Sequence, residues 1–389
     1  MNSLYRLVIL VSLSSTGATA SRFAVLVCAA QIGASHATVG LLAGLFSGLG
    51  VFTSVSSGRL VDRIGTRKPL LWSAIILALA VAAGIVSRDL PVLFAIVCIG
   101  GLAHNMMIVA FQKLAGDLAP ANARAEAFGM LSFGFSISIL AAPVVAGFAI
   151  DYLGFVATFA LFTLVPLASF ALVWFNFLPW PPVAEATGRP DSPEKISSLA
   201  MLRDPVLFRI WVSCVMFESA WMGFGFMLPI LGTDLGYSAS TIGMIAGTAG
   251  FTLFIARAVL TPLLRWLTPW QLLLAGMASY GIGIAGMVIA NAPITMALCG
   301  AFMGLGQGVA SPMTNALIYE NAREHQKGEA LALRALISNA AQGGMPLVSG
   351  PLSGLVGIPA VFALIAAGLF GSVWLSRREW TSARTGRSA

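Results

Sequence analysis

Charge is what this sequence has least of. Aspartate, glutamate, lysine and arginine together make up 10% of its 389 residues, where a soluble domain carries about 25%. A water-facing surface cannot be built from so few charges, so the chain is expected in a lipid bilayer. Cysteine and histidine are scarce as well. The four cysteines, Cys28, Cys98, Cys214 and Cys299, lie inside apolar runs with no CxxC or Cys/His spacing. That excludes a disulfide framework or zinc site and predicts free, buried thiols. The three histidines, His36, His104 and His325, belong to no HExxH or Gly-x-Ser-x-Gly constellation, so an intramembrane enzyme lacks its catalytic groups. No phosphate-binding glycine loop is present. Neither ATP nor any other cofactor or metal is expected.

What is present is apolar sequence in spanning lengths. Hydrophobic residues reach 58% and mean hydropathy is +0.89, and a span needs about 20 mainly apolar residues. Such runs lie at 6–31, 38–58, 69–87, 92–116, 127–150 and 155–178, then at 206–232, 239–264, 270–290, 294–318, 329–353 and 358–376. Between the two sets, Pro179 to Asp204 holds five prolines and mixed charges, a linker composition. The expected division is a six-helix bundle at 1–178, a cytoplasmic linker at 179–205, a second bundle at 206–376 and a cytoplasmic tail at 377–389. Ala18-Thr19-Ala20 imitates a signal-peptide cleavage site, but the apolar run continues through Phe23–Val27 and reads as a retained first helix.

The net charge of +7 does not point to nucleic acid, because the basic residues recur in short bursts between apolar runs. With the N-terminus inside, Arg59, Arg63, Arg67, Lys68, Lys113, Arg124, Arg189, Lys195, Arg203, Arg209, Arg265, Arg323 and Lys327 all face the cytoplasm, as do the tail arginines. The opposite loops hold only Arg88. Both termini are therefore expected in the cytoplasm, and a bacterial inner membrane is the expected location.

The halves repeat at a shift of 203. Arg6 matches Arg209 (6 + 203 = 209), Gly33-Ala34-Ser35 matches Gly236-Tyr237-Ser238, and Thr38-Val39-Gly40 matches Thr241-Ile242-Gly243. In the same register Gly101 matches Gly304, Pro143 and Gly147 match Pro346 and Gly350, and Gly154 and Phe159 match Gly357 and Phe362. Two parallel repeats can rock about a central site and expose it to either side in turn. A channel would draw its pore from several subunits or a filter sequence, whereas a whole-chain repeat suits a self-contained, monomeric carrier.

The most specific stretch follows the second run: Gly58-Arg59-Leu60-Val61-Asp62-Arg63-Ile64-Gly65-Thr66-Arg67-Lys68. It resembles the hallmark loop of the major facilitator superfamily, G-x-L-x-D-R-x-G-R/K-R/K, and departs from it only at Thr66. The resemblance covers the whole chain. It implies an all-α membrane protein of that fold, 12 transmembrane helices in two pseudo-symmetric six-helix bundles. It also implies a conformational latch made of Gly58, Asp62, Arg63, Gly65 and Arg67. On physical grounds, Gly58 would let helices approach closely and Asp62 would pair with a helix N-terminus. The matching positions Thr261 and Arg265 have lost the pattern. The fourth-run arginine and the fifth-run Gly-Pro pair of many proton-driven drug exporters are also absent or reduced, at Ile96–Ile99 and Ala142-Pro143.

Ionisable groups within the spans cost at least a few kcal/mol each unless paired or hydrated. Four stand out: Arg22 in the first, His104 in the fourth, Glu218 in the seventh and Arg257 in the eighth. The resemblance implies that helices one, four, seven and ten line the cavity. The expected substrate and proton pathway is Arg22, His104, Asn105, Glu218, Gln307, Ser311 and Asn315, the last three spaced by four on one helix face. Glu218 is expected to carry the proton and Arg22 to be a fixed counter-charge for an anionic solute or for Glu218. Arg257 is expected to brace a helix end. Phe217, Trp221 and Phe224 flank Glu218 as an apolar wall or a core stripe. The expected function is secondary active transport of a small organic solute, proton-coupled, with efflux of a drug-like or metabolic compound ahead of uptake of an organic anion such as a carboxylate.

Overall fold

The computed structural model describes residues 3–119, 124–180, 204–322 and 327–385, and every regular element among them is a helix. In chain order these are α1 (Ser3–Gln31), α2 (His36–Ile64), α3 (Arg67–Val86) and α4 (Leu90–Leu118). Arg124–Trp174 follows as one run that Gly154 breaks with φ 74° and ψ 171°. Its limbs, 124–153 and 155–174, are α5 and α6. Then come α7 (Pro205–Asp234), α8 (Ala239–Leu263), α9 (Pro269–Met287), α10 (Pro293–Asn321), α11 (Lys327–Val356) and α12 (Ile358–Thr385). This is the twelve-helix pattern read from the apolar runs. The linker expected at 179–205 lies almost wholly outside the described residues. The expected tail is helical as far as Thr385.

Nine helical runs among the described residues are long and apolar enough to cross a membrane. The α11 helix is not one of them, because Arg334, Asn339 and Gln342, with many glycines and serines, lower its hydropathy. A polar helix inside an apolar bundle marks a place where side chains answer one another rather than lipid.

The repeat is written into the backbone as well as the residues. Of the five glycines with positive φ among the described residues, four form two repeat pairs: Gly33 (76°) with Gly236 (73°), and Gly154 (74°) with Gly357 (84°). An ordinary L-residue in that left-handed region costs about 1–2 kcal/mol, so glycine punctuates the same turn twice. The following caps repeat too. Ser35 Oγ accepts from Thr38 N at 3.2 Å, and Ser238 Oγ from Thr241 N at 3.3 Å. Close approaches recur in register: a Cβ on Gly101 would strike the Phe46 backbone, and one on Gly304 would strike that of Ala249. The latter pair is the former shifted by 203 (101 + 203 = 304; 46 + 203 = 249).

The chain packs as two compact units, Met1–Arg189 with Leu228–Gly247, and Pro190–Met227 with Thr248–Ala389. In the first, α1 runs along α5 and α6, α3 packs on α4 and on the same run, and α2 pairs with α4. Ser12 Oγ donates to Gly134 O at 3.2 Å, and Ser138 Oγ donates back to Ser12 O at 3.0 Å. The C-terminal end of α6 is met by two arginines, Arg67 donating to Trp174 O at 3.0 Å and Arg6 to Phe177 O at 3.2 Å. Cations there answer both the open carbonyls and the helix dipole. In the second unit, α9 lies against α10 and α12, and α11 touches both.

The segment Leu228–Gly247 is bound to the first unit by a carboxylate. Asp151, at the end of α5, accepts from Ala239 N at 3.0 Å and from Ser240 N at 2.7 Å. It thereby caps the first turn of α8 with a negative charge at the positive end of the helix. Below it the helices nearly touch. A Cβ on Gly147 would overlap the Ala239 carbonyl, and one on Gly243 would overlap that of Pro143. Asp151→Ala is expected to remove about 1 kcal/mol of stability, with Asp151→Asn in between. Thermal unfolding of the purified protein checks this, and identical melting of all three proteins would refute it.

Candidate functional site

In the first unit the expected residues form an aromatic-cation cluster. The Arg22 guanidinium on α1 lies 5.3 Å from the Phe46 ring centre, and the His104 ring on α4 lies 5.8 Å from the same ring. Phe46 thus touches both, and a cation over a ring face is favourable by about 0.5–2 kcal/mol. His104 Nδ1 is buried without a hydrogen-bond partner. Asn105 turns instead to α2. Its Nδ2 donates to Thr53 Oγ1 and its Oδ1 accepts from Ser54 Oγ, both at 3.3 Å, and Gly50 makes room for it. Asn105 ties two helices together.

In the second unit Glu218 is the centre. It is only 5% exposed on α7, where an unpaired carboxylate would be prohibitive. Two residues of α11 meet it. Gln342 Nε2 donates to Oε2 at 2.9 Å, and Arg334 Nη2 stands 3.9 Å from Oε1. Arg334 is in turn fastened to α10, with Nε donating to Thr314 Oγ1 at 3.3 Å and Nη2 to Ser311 Oγ at 3.1 Å and Ser311 O at 3.4 Å. Ser338, also on α11, contacts Cys214 Sγ at 3.2 Å. Arg257 on α8 also acts electrostatically on Glu218.

The structure therefore brings Glu218 and Ser311 together through Arg334, a residue absent from the expected pathway. Gln307, one turn earlier on α10, is buried, and its Oε1 has no hydrogen-bond partner. Asn315 is exposed, and the α10 residue that reaches the cluster is its neighbour Thr314. Arg22 and Glu218 each have partners within their own unit. Phe217 and Phe224 are core residues, fully and almost fully buried. Of Arg334, Thr314 and Gln342, only Arg334 carried a signal: it is an arginine five residues into the run at 329–353, though close to that run's polar start. All four cysteines are free, two of them buried.

The hallmark loop differs from its expected contacts in two places. Asp62 pairs with Lys113 of α4 at 3.1 Å, not with a helix N-terminus. An aspartate does cap a helix in this molecule, but it is Asp151. At Gly58 a Cβ would meet no described atom within 4 Å, so no close approach requires that glycine here. Gly65 ends α2 with φ 79°, Arg63 is exposed, and Arg67 caps α6. Thr66, where a basic residue is usual, is buried at 5% exposure, a position unsuited to a charge.

Comparison with known proteins decides the family. The model of the Major Facilitator Superfamily matches residues 7–295 and 269–386. The chain belongs to that superfamily. Among its relatives, the uncharacterized MFS-type transporter YfnC of Bacillus subtilis (strain 168) is 27% identical over 177 residues, 44% of this chain and 39% of that protein. The probable anion transporter 2, chloroplastic, of Oryza sativa subsp. japonica is 30% identical over 159 residues, 39% of this chain and 28% of that protein. The chain thus spans well under half the length of either. Over nearly the full length it shares its fold with the crystal structure of the peptide transporter POT, at a TM-score of 0.78 and 14% identity, covering 97% of this chain and 95% of that one. Its many long apolar helices and its family make the chain an integral, multi-pass membrane protein.

Removing one half of the buried pair leaves the other stranded. Arg334→Gln is expected to cost about 3–5 kcal/mol, and adding Glu218→Gln to it should restore most of the loss. A double-mutant cycle on thermal or denaturant unfolding measures this, and simple additivity would mean the two side chains do not interact.

Proposed function

We propose that the protein is a secondary active carrier that moves a small organic solute by alternating access, driven by the proton gradient, with Glu218 as the proton-carrying group. The supporting observation is Glu218 itself. It is a carboxylate enclosed within the helix bundle, with an amide and a loosely placed guanidinium beside it and Ser338 and Arg257 also acting on it. Such a group changes its charge when water reaches it from one side or the other, and that change links proton movement to conformation.

The two sequence halves, 1–178 and 206–376, act as the moving bundles, joined by the linker 179–205. The protein works as a monomer in the bacterial inner membrane with both termini in the cytoplasm. The segment Gly58–Lys68 serves as the latch on the cytoplasmic side, with Asp62 held by Lys113 in the state described here. Arg22, His104, Gln307 and Ser311 line the pathway. The sequence favoured efflux of a drug-like or metabolic compound because of the aromatics around Glu218. The burial of Phe217 and Phe224 in the core withdraws that support. Arginines near the carboxylate favour the second reading, uptake of an organic anion together with a proton, and the likeness to a rice protein named as an anion transporter agrees with it.

Proteoliposomes carrying an inward proton gradient test the coupling. Small carboxylates that the wild type accumulates should no longer accumulate after an uncoupler is added or in Glu218→Gln, while solute exchange without net flux persists in the variant. Accumulation that survives both treatments would remove Glu218 from the proton pathway.

A further inference from the structure

The geometry around Arg334 carries more than an ion pair. Its guanidinium is fixed by neutral acceptors: Ser311 Oγ, Ser311 O and Thr314 Oγ1 lie 3.1–3.4 Å from Nη2 and Nε. Its charged partner is farther off, at 3.9 Å, beyond hydrogen-bond reach. Glu218 meanwhile takes its one short bond from Gln342, at 2.9 Å. The cation is thus held by α10 whether or not Glu218 is charged. Nη1 donates to nothing among the described residues, and 13% of the Arg334 side chain is exposed. A guanidinium offers five donors in a planar fork matched to carboxylates, and one prong of this fork is unused.

The same unit holds polar atoms that lack a partner. The Tyr280 hydroxyl on α9 is fully buried with no hydrogen bond, as is Gln307 Oε1 on α10. Buried polar groups are nearly always satisfied, and an exception calls for an explanation. A hydroxyl that can donate and an amide oxygen that can accept suit a ligand bearing both an anionic oxygen and a donor of its own.

We propose that Arg334 is the anion-holding residue of the carrier, and that its guanidinium is exchanged between Glu218 and the carboxylate of a small organic acid, with a hydroxy acid fitting best. This rests on Glu218 as the proton carrier. While Glu218 is ionised, it competes for Arg334. A proton taken up by Glu218 neutralises that competitor and leaves the fork to the solute, so proton and anion bind together and leave together. The other groups facing Glu218 are Arg257 from α8, Tyr280 from α9, and Cys214 and Ser338 from α7 and α11. None of these is a second carboxylate, so among the described residues no other carboxylate of the cluster opposes the solute's charge.

Lactate, propionate and the neutral lactamide are the probes, with equilibrium binding measured on purified full-length protein at about pH 6 and about pH 8. Lactate should bind the wild type more tightly at the lower pH, by roughly fivefold or more, and more tightly than propionate. Lactamide should not bind. Glu218→Gln, which mimics the protonated residue, should bind lactate equally at both pH values, and Arg334→Gln at neither. Should Arg334→Gln fail to fold, Arg334→Lys keeps the charge without the fork and should weaken lactate binding by roughly fivefold or more. No binding of either carboxylate to wild type or Glu218→Gln would overturn the assignment of solute class. Equal lactate binding by wild type and the Arg334 variants would overturn the exchange alone, since the uncoupler assay on Glu218 reads separately. Arg334-dependent binding indifferent to pH and to Glu218→Gln would sink the exchange and the proton role of Glu218 together.

Discussion

A carboxylate cannot be left alone among apolar helices. Glu218 sits where an isolated charge costs several kcal/mol or more, and the described part of the second unit is arranged to meet that cost from within the protein. Gln342 supplies the short hydrogen bond, Arg334 supplies the charge, and α10 supplies the anchors that keep Arg334 in place. Three helices are committed to one side chain. That commitment helps explain why α11 is poorer in apolar residues than its neighbours, and why the three of its polar residues that face Glu218, Arg334, Ser338 and Gln342, are spaced by four and share one face.

Around that centre the fold was largely legible from sequence, because membrane helices announce themselves by length and hydropathy and the repeat fixes their order. The shift of 203 reaches beyond residue identity. It carries the left-handed glycines, the Ser35 and Ser238 caps, and the crossings of α4 on α2 and α10 on α8. Turns and crossings where only glycine fits are the positions least free to drift, since a side chain at the turns would be forced into a left-handed backbone and one at the crossings would meet backbone rather than a movable neighbour. Two ancestral copies can diverge almost everywhere else and still share these positions.

The site was legible only in part, and the misses have a common cause. Glu218, Arg22 and His104 are anomalies in apolar runs and can be seen without coordinates. Their partners cannot, because partnership depends on helix rotation and depth, which hydropathy does not encode. The α11 run begins at its lysine and glutamate, so Arg334 reads as part of a polar helix start, although it lies two turns inside. Asn315 was selected by a spacing of four that is sound for one face of a straight helix. Pro312 lies between Ser311 and Thr314 in α10, where a missing N–H loosens the regular ladder. Asp62 was assigned a helix N-terminus on the strength of its charge alone, and the nearby Lys113 took it instead.

The two aspartates define how the repeat has been broken. Position 354, the repeat equivalent of Asp151 (151 + 203 = 354), is a glycine, and position 265, the equivalent of Asp62, is an arginine. Each carboxylate therefore exists once, at one turn of one half. Asp151 makes two short bonds to backbone N–H groups, which are fixed donors that do not titrate. Asp62, itself exposed, holds a half-buried lysine, the kind of pair that contributes about 0–1 kcal/mol and is easily traded for another partner. A strong tie at one place and a weak one at the other is an asymmetry that two identical halves could not produce. In the carrier proposed above, which would favour one conformation at rest yet leave it when Glu218 changes charge, a difference of a few kcal/mol and no more is what is needed. On that reading, divergence at 151 and 62 would supply it without disturbing the glycine crossings on which both halves depend.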